Sequence, residues 1–255
     1  MYLRGMIVGA HVPPEDPLGH AGSVGAQCVQ LFVGPPQSWK MPPPLPEAEQ
    51  LLASSLPIYV HAPYLINVAS PNNRVRIPSR KILAQTIVRS EEIGARGIIV
   101  HAGHAEDGIP RGFMRWRKVF EELETDIPIL IENTAGGDNA MGRKVDVIAE
   151  LWENLSDFEP GFCFDTCHAH AAGEDLVTVV ERVRKATGRI DLVHANSSKD
   201  PAGSGRDRHC NFSEGELAQE VLIEMVAASG APAVICETPW PGIADDIEAI
   251  KGRVG

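Results

Sequence analysis

GIIVHA, residues 97–102, is a short apolar run rich in β-branched residues that ends on an imidazole, His101. Such a run, bounded by glycine and polar residues, reads as a buried strand. Six further stretches follow the same rule. MIVGAH ends on His11, PIYVHA carries His61, IPILIE ends on Glu132, GFCFD on Asp165, DLVHA carries His194 and AVICE ends on Glu237. Burying imidazoles and carboxylates is costly unless they are paired or bind metal. Set at one end of a parallel barrel, the seven would converge on a single point, which is how a metal cluster is built.

QCVQLFV (27–33) supplies an eighth strand. Between the strands lie segments of helical character: Ile77–Gly94, which closes on a C-cap glycine, Arg111–Thr125, Lys144–Leu155, Glu174–Thr187, Glu214–Ser229 and Asp245–Gly252. Alternation of strand and helix about every thirty residues favours parallel βαβ units. A chain of 255 residues fits one domain, 1–255, and matches the roughly 250 typical of a (β/α)8 TIM barrel. The expected fold is therefore an α/β TIM barrel with its metal site at the C-terminal ends of the strands. An open doubly wound sheet is the alternative, and it suits eight units with ligands on seven strands less well. Two loops stand out. Gly34–Pro46 is proline-rich, and Asn196–Phe212 is long, polar and glycine-bearing enough to pass for a disordered linker. Both follow strands, so a barrel would gather them at its C-terminal face.

The composition narrows the class. Hydrophobic residues make up 44%, ordinary for a folded soluble chain, and no apolar stretch approaches the roughly 18 residues that span a bilayer. Met1–Gly5 does not read as a secretion signal, so a cytoplasmic protein without a membrane partner is expected. Cys28, Cys163, Cys167, Cys210 and Cys236 are odd in number and scattered, which argues against a disulfide framework. Cys163 and Cys167 could suggest a thiolate zinc site, but Cys163 alternates with Phe162 and Phe164, as core residues do. A net charge of −11 argues against a generic nucleic-acid binder. Three bound Zn2+ would add six positive charges and bring it to −5. Basic residues cluster just past two strand ends: Arg74, Arg76, Arg80 and Lys81 in one group, Lys199, Arg206 and Arg208 in the other.

Zinc accepts imidazole nitrogen and carboxylate oxygen, and a catalytic zinc keeps one position for water. The strand-end candidates are His61, His101, Glu132, Asp165, His194 and Glu237. A second group comes from loops. His168 lies three residues past Asp165, and Asp207 with His209 forms an Asp-x-His pair. In an extended segment residues two apart point the same way, so both could hold one ion and, with His168, make a separate three-ligand site. This mixture of donors suits Zn2+, with Mn2+ or Fe2+ as substitutes. His11 reads as a supporting donor behind a ligand. His20, His104 and His170 have no comparable context and read as structural or exposed.

HAPYLIN (61–67), VHAGH (100–104), IENTAGG (131–137), FDTCHAHAAG (164–173), VHAN (193–196), GRDRHCNFSEGE (205–216) and ICET (235–238) together resemble the motifs of endonuclease IV, the zinc-dependent apurinic/apyrimidinic endonuclease. GAHV (9–12) and QLFVGPPQSW (30–39) resemble its opening, so the likeness runs from about Gly9 to Thr238. The resemblance implies nine metal ligands and three zinc ions per chain. His61 and His101 would hold one, with Glu132 bridging to a second that Asp165, His194 and Glu237 complete. His168, Asp207 and His209 would hold the third. It further implies Glu132, Asp165 and Glu237 as catalytic carboxylates, Asn196 beside them as a supporting residue, and Tyr64 and Leu65 inserting at a lesion.

The implied activity is DNA repair: hydrolysis of the phosphodiester 5′ to an abasic site, giving a 3′-hydroxyl and a 5′-deoxyribose phosphate, with trimming of blocked 3′ ends. The implied partner is double-stranded DNA with abasic sites or blocked 3′ ends, bound by a monomer without an obligate protein partner. Arg74, Arg76 and Arg206 would contact phosphates, with Gln37 at the gap. Two positions depart from the family pattern. Gln37 stands where an arginine is common, which predicts weaker or more salt-tolerant binding from that loop. Ala195, Asn196 and Ser197 follow His194 in place of a Leu-Asn-Asp type sequence. Two other classes share parts of this reading. A barrel sugar isomerase uses two divalent metals and has no need of the third cluster. A damage-binding protein with a purely structural cluster would bind without turnover.

Overall fold

The computed structural model describes residues 5–254. Residues 1–4, on which the expectation of no secretion signal rests, and residue 255 lie outside that range. The elements run β1 (Ile7–His11), α1 (Pro17–Ser23), β2 (Val29–Leu31), α2 (Ala48–Ala53), β3 (Ile58–His61), α3 (Asn73–Glu92), β4 (Ile98–His101), α4 (Ile109–Glu122), β5 (Ile129–Glu132), α5 (Val145–Asn154), β6 (Gly161–Asp165) and α6 (Thr166–Ala172). They continue with α7 (Val179–Thr187), β7 (Leu192–Ala195), β8 (Ser197–Ser198), β9 (His209–Cys210), α8 (Gln219–Ser229), β10 (Ala233–Cys236) and α9 (Ile243–Val254). The eight long strands pair in parallel and close in the order β1-β10-β7-β6-β5-β4-β3-β2. This is the (β/α)8 barrel, and the doubly wound alternative is excluded. No helix among the described residues is long and apolar enough to cross a membrane.

Strand residues alternate between two environments because successive side chains point to opposite faces. Outward residues such as Val60, Val100, Ile131, Phe164, Val193 and Val234 pack under the helices with Leu83, Trp116, Leu222 and Ile247, all buried. Trp116 is held there by its indole N–H, which donates to Ala102 O at 2.8 Å. Inward residues form a separate apolar layer: Cys28, Tyr59, Ile99, Leu130, Cys163, Leu192 and Ile235. Leu130 fills room left by its neighbours. A Cβ on Gly97 would stand 2.9 Å from its Cδ1, and one on Gly161 3.1 Å from its Cγ. Cys163 therefore belongs to the core, as its alternation with two phenylalanines predicts.

Three helix starts need correction, and the one expected at Glu174 comes at Val179. The helix expected from Ile77 begins at Asn73, because the Asn72 side chain accepts from Arg74 N at 2.9 Å and starts the turn earlier. The helix expected from Glu214 begins only at Gln219, after a 3-10 turn at Phe212–Glu214. The segment 196–212 is ordered structure rather than a linker. β8 and β9 pair antiparallel, Ser197 with Cys210 and Ser198 with His209. Buried His170 donates from Nε2 to Asp200 O at 3.1 Å, and Arg208 Nε donates to Asp200 Oδ2 at 2.7 Å. A third tie is a close approach: a Cβ on Gly136 would lie 2.1 Å from Gly205 O, so the loop after β5 presses directly on this segment.

Candidate metal centre

Two residues beyond the apolar inward layer, the same strands carry the predicted groups. Ile99 is followed by His101, Leu130 by Glu132, Cys163 by Asp165, Leu192 by His194, Ile235 by Glu237 and Tyr59 by His61. Period-two geometry turns all of them into the barrel mouth. Parallel registers place His101 beside Glu132 and Asp165 beside His194.

Glu132 is the hub. Its Oε2 lies 3.3 Å from both His61 Nε2 and His101 Nε2, and its Oε1 lies 3.0 Å from His194 Nδ1 and 3.4 Å from His168 Nδ1. Donor atoms of His61, His101 and Glu132 fall within 4.8 Å of one another, as do those of His61, His194 and Glu237. Asp165, His168 and His209 form another such group, and Asp207 joins His209 together with Cys167. All nine predicted ligands are thus brought together. Cys167, which the sequence reading weighed with Cys163 as a thiolate ligand and set aside, packs beside them with a thiol pushed up to about 12 by burial.

The histidine tautomers are set from behind. His61 Nδ1 donates to Ala62 O at 2.7 Å, and His168 Nδ1 donates to Asn133 O at 2.8 Å. Each leaves Nε2 directed into the cluster. His168 Nε2 is 3.1 Å from Asp207 Oδ2, yet out of hydrogen-bond alignment with it. His209 Nε2 and Glu132 Oε2 are likewise buried without a hydrogen-bond partner. Buried polar atoms are rarely left so. Three inward-aimed orphans, among imidazole and carboxylate donors that suit divalent zinc, fit bound metal.

Electrostatics agree. Burial opposes ionisation of Glu132, but His194 and His101 outweigh it and hold its carboxyl well below the usual range. Glu237 is lowered to about 2 against burial, by His194, His209 and His61. Burial instead raises Asp165, with His168 and His209 opposing. His168 is raised well above its ordinary value despite burial, by Asp165 and Asp207, and His194 likewise by Cys163, Glu237 and Glu132. Bound cations would take over the role these protonated imidazoles play.

The supporting shell is richer than the sequence reading foresaw. Asn196, expected there, donates from Nδ2 to Asp165 Oδ2 (2.7 Å) and Glu237 Oε2 (3.1 Å) and accepts from Glu237 N (2.9 Å). His11 sits 3.7 Å from Glu237, its pKa lowered to about 4 by burial. Asn133 was missed, although it lies within IENTAGG. Its side chain accepts from Asp165 N at 2.7 Å and donates to Asp165 O at 2.9 Å. Asp246 of α9 was missed too. It accepts from Thr238 Oγ1, Asn211 Nδ2 and Phe212 N, tying the segment after His209 to the one after Glu237.

Around the mouth, Tyr64 is 51% exposed, its ring stacked on His101 and edge-on to His61, while Leu65 is half-buried. Gln37, Arg74 and Arg206 are exposed. Arg206 Nη1 reaches Asp200 at 3.3 Å. Arg76 is engaged with the backbone, donating to Ser70 O at 2.7 Å and Pro71 O at 3.0 Å.

The family model described as xylose isomerase-like TIM barrel matches residues 18–253, in keeping with the closed barrel. The probable endonuclease 4 of Mycobacterium tuberculosis is 56% identical over 252 residues, covering 98% of this chain and all of that protein. Endonuclease IV of Thermus thermophilus superposes with a TM-score of 0.83 at 26% identity, over 96% of this chain and 98% of that one. A D-tagatose 3-epimerase-like protein, 20% identical over 98% of this chain and all of that one, reaches 0.74 and shares the fold. The chain belongs to the endonuclease IV family, an enzyme family of the apurinic/apyrimidinic endonuclease class.

Proposed function

We propose that this chain, as a single barrel domain, repairs DNA by hydrolysing the phosphodiester 5′ to an abasic site, and that three zinc ions serve the reaction. The observation that carries the reading is the convergence of nine imidazole and carboxylate side chains on Glu132 and the two clusters flanking it. His61 and His101 would hold one ion, with Glu132 shared between it and a second. Asp165, His194 and Glu237 would complete the second, and His168, Asp207 and His209 the third. When bound, such ions supply a water of pKa near 7 and neutralise phosphate charge. A two-metal sugar isomerase would leave His168, Asp207 and His209 without a task.

The chain's own groups do the rest. Glu132 and Asp165 are fully enclosed, whereas the Glu237 side chain keeps 10% of its surface open. Glu237 is therefore the carboxylate best placed to accept a hydrogen bond from the attacking water and orient it, its lowered pKa keeping it ionised. As the bond from phosphorus to the 3′ oxygen breaks, that oxygen takes up a proton from solvent. The products are a 3′-hydroxyl and a 5′-deoxyribose phosphate, and the same attack trims blocked 3′ ends. A step without its base is already partly unstacked, so opening it costs less than opening intact duplex. Tyr64, with Leu65 and Gln37, is positioned to enter that gap. Arg74 is exposed to meet phosphates, and exposed Arg206 would exchange its contact with Asp200 for one. Arg76 would first have to leave its carbonyl partners, so its part is to shape the loop.

The test is incision of a duplex carrying one tetrahydrofuran abasic analogue, which β-elimination cannot cut. Incision on the 5′ side that leaves a 3′-hydroxyl, disappears on chelation and returns with Zn2+ is expected. Folded, metal-replete protein that leaves the duplex intact would sink the reading.

A further inference from the structure

Seven strands deliver an imidazole or carboxylate to the barrel mouth, and the eighth, β2, delivers Gln30. Its place is equivalent to theirs, two residues past the inward Cys28, and its side chain is completely buried. Both ends of the amide are engaged. Its Nε2 lies 2.6 Å from Glu237 Oε1 and 3.0 Å from His11 Nδ1, and its Oε1 lies 2.8 Å from His194 Nε2.

Which end of an amide is oxygen is often ambiguous. Here chemistry decides it. An ionised carboxylate only accepts hydrogen bonds, so the atom 2.6 Å from Glu237 must be the NH2. Its oxygen then faces His194, whose Nε2 must be the donor. Once the ring is neutral, as a metal ligand must be, that leaves the Nδ1 lone pair of His194 directed between Glu132 Oε1, at 3.0 Å, and Glu237 Oε2, at 3.4 Å. A neutral imidazole lone pair facing two carboxylates is repelled, unless a cation stands between them.

We propose that Gln30 is a positioning residue: it relays the orientation of Glu237 to His194 and holds that ring with Nε2 protonated and Nδ1 presented to a metal ion. This rests on the metal centre described under the proposed function. His61 and His168 have their tautomers fixed by main-chain carbonyls, which any sequence supplies. For His194 the task falls to a side chain 164 positions away, so it can be removed by mutation.

Gln30→Met keeps an unbranched side chain of similar length and deletes both the acceptor and the donors. Zinc titration against a competing chelator should show one ion bound about 10- to 100-fold more weakly, the usual cost of losing a partner behind a metal ligand. Turnover on the tetrahydrofuran duplex should fall while KM stays unchanged. Two-bond 1H–15N NMR of the zinc-loaded wild type should show His194 protonated at Nε2, and in Gln30→Met that signal should broaden or change tautomer. Wild type protonated at Nδ1, or Gln30→Met with wild-type zinc affinity, overturns the proposal; the first result needs no variant to fold. Zinc binding and the NMR signature without incision would uphold Gln30 and reject the endonuclease chemistry. A wild type that binds no zinc rejects both.

Discussion

At Leu130 the inside of the barrel is apolar and filled; two residues further along β5, at Glu132, it is charged and gathers imidazoles from four sides. The same eight strands build the first layer and most of the second, which α6 and the segment around His209 complete. In the lower one, side chains are chosen by volume, as Leu130 against Gly97 and Gly161 shows. In the upper one they are chosen by protons and lone pairs, and neighbours such as Asn133, Asn196 and Gln30 serve to aim donors. Stability should therefore reside in the first layer and activity in the second, with little exchange between them.

The most damaging change to that division would be Glu132→Gln. Removing the shared carboxylate should cost several kcal/mol of transition-state stabilisation, about a thousandfold in rate. Circular dichroism should report an intact fold, because the volume is kept. Incision within tenfold of wild type would mean that the hub has been misplaced. Leu130→Ala is the opposite probe. It should lower unfolding free energy by about 2–5 kcal/mol in a urea titration, while rate per folded, zinc-loaded molecule stays unchanged. A parallel loss of rate would show that the layers are mechanically coupled. The smallest effect belongs to the rim beyond both. Gln37→Arg should tighten abasic duplex binding modestly and steepen the log–log salt slope by about one, read by fluorescence anisotropy across salt concentrations. An unchanged slope would remove this loop from the contact surface.

The upper layer was largely legible in the sequence because imidazoles and carboxylates at the ends of apolar runs are conspicuous against the cost of burying them. Gln30 was not, since a neutral amide at the end of QCVQLFV reads as ordinary polarity. Its phase with Cys28 was the available signal. The pairing inside 196–212 was hidden for a different reason. Ser197 with Cys210 and Ser198 with His209 is too short a ladder to leave a periodic pattern, and its anchors, His170, Gly136 and Asp246, are distant in the chain. Helix starts were displaced where a cap residue governed them, as Asn72 does for α3. Long periodic strands write themselves into the sequence; contacts between loops do not.

All five cysteines are buried and unpaired, and none of the nine converging donors is a sulfur. Oxidants attack thiols in proportion to access and thiolate character, and burial has removed both, with Cys28 and Cys163 pushed up to about 12. A zinc site built on thiolates would shed its ions when peroxide rises. The proposed one would rest on nitrogen and oxygen donors, and the two thiols that approach it, Cys163 and Cys167, are buried and pushed up to about 12. The protein should keep working during the chemical stress that strips bases from DNA.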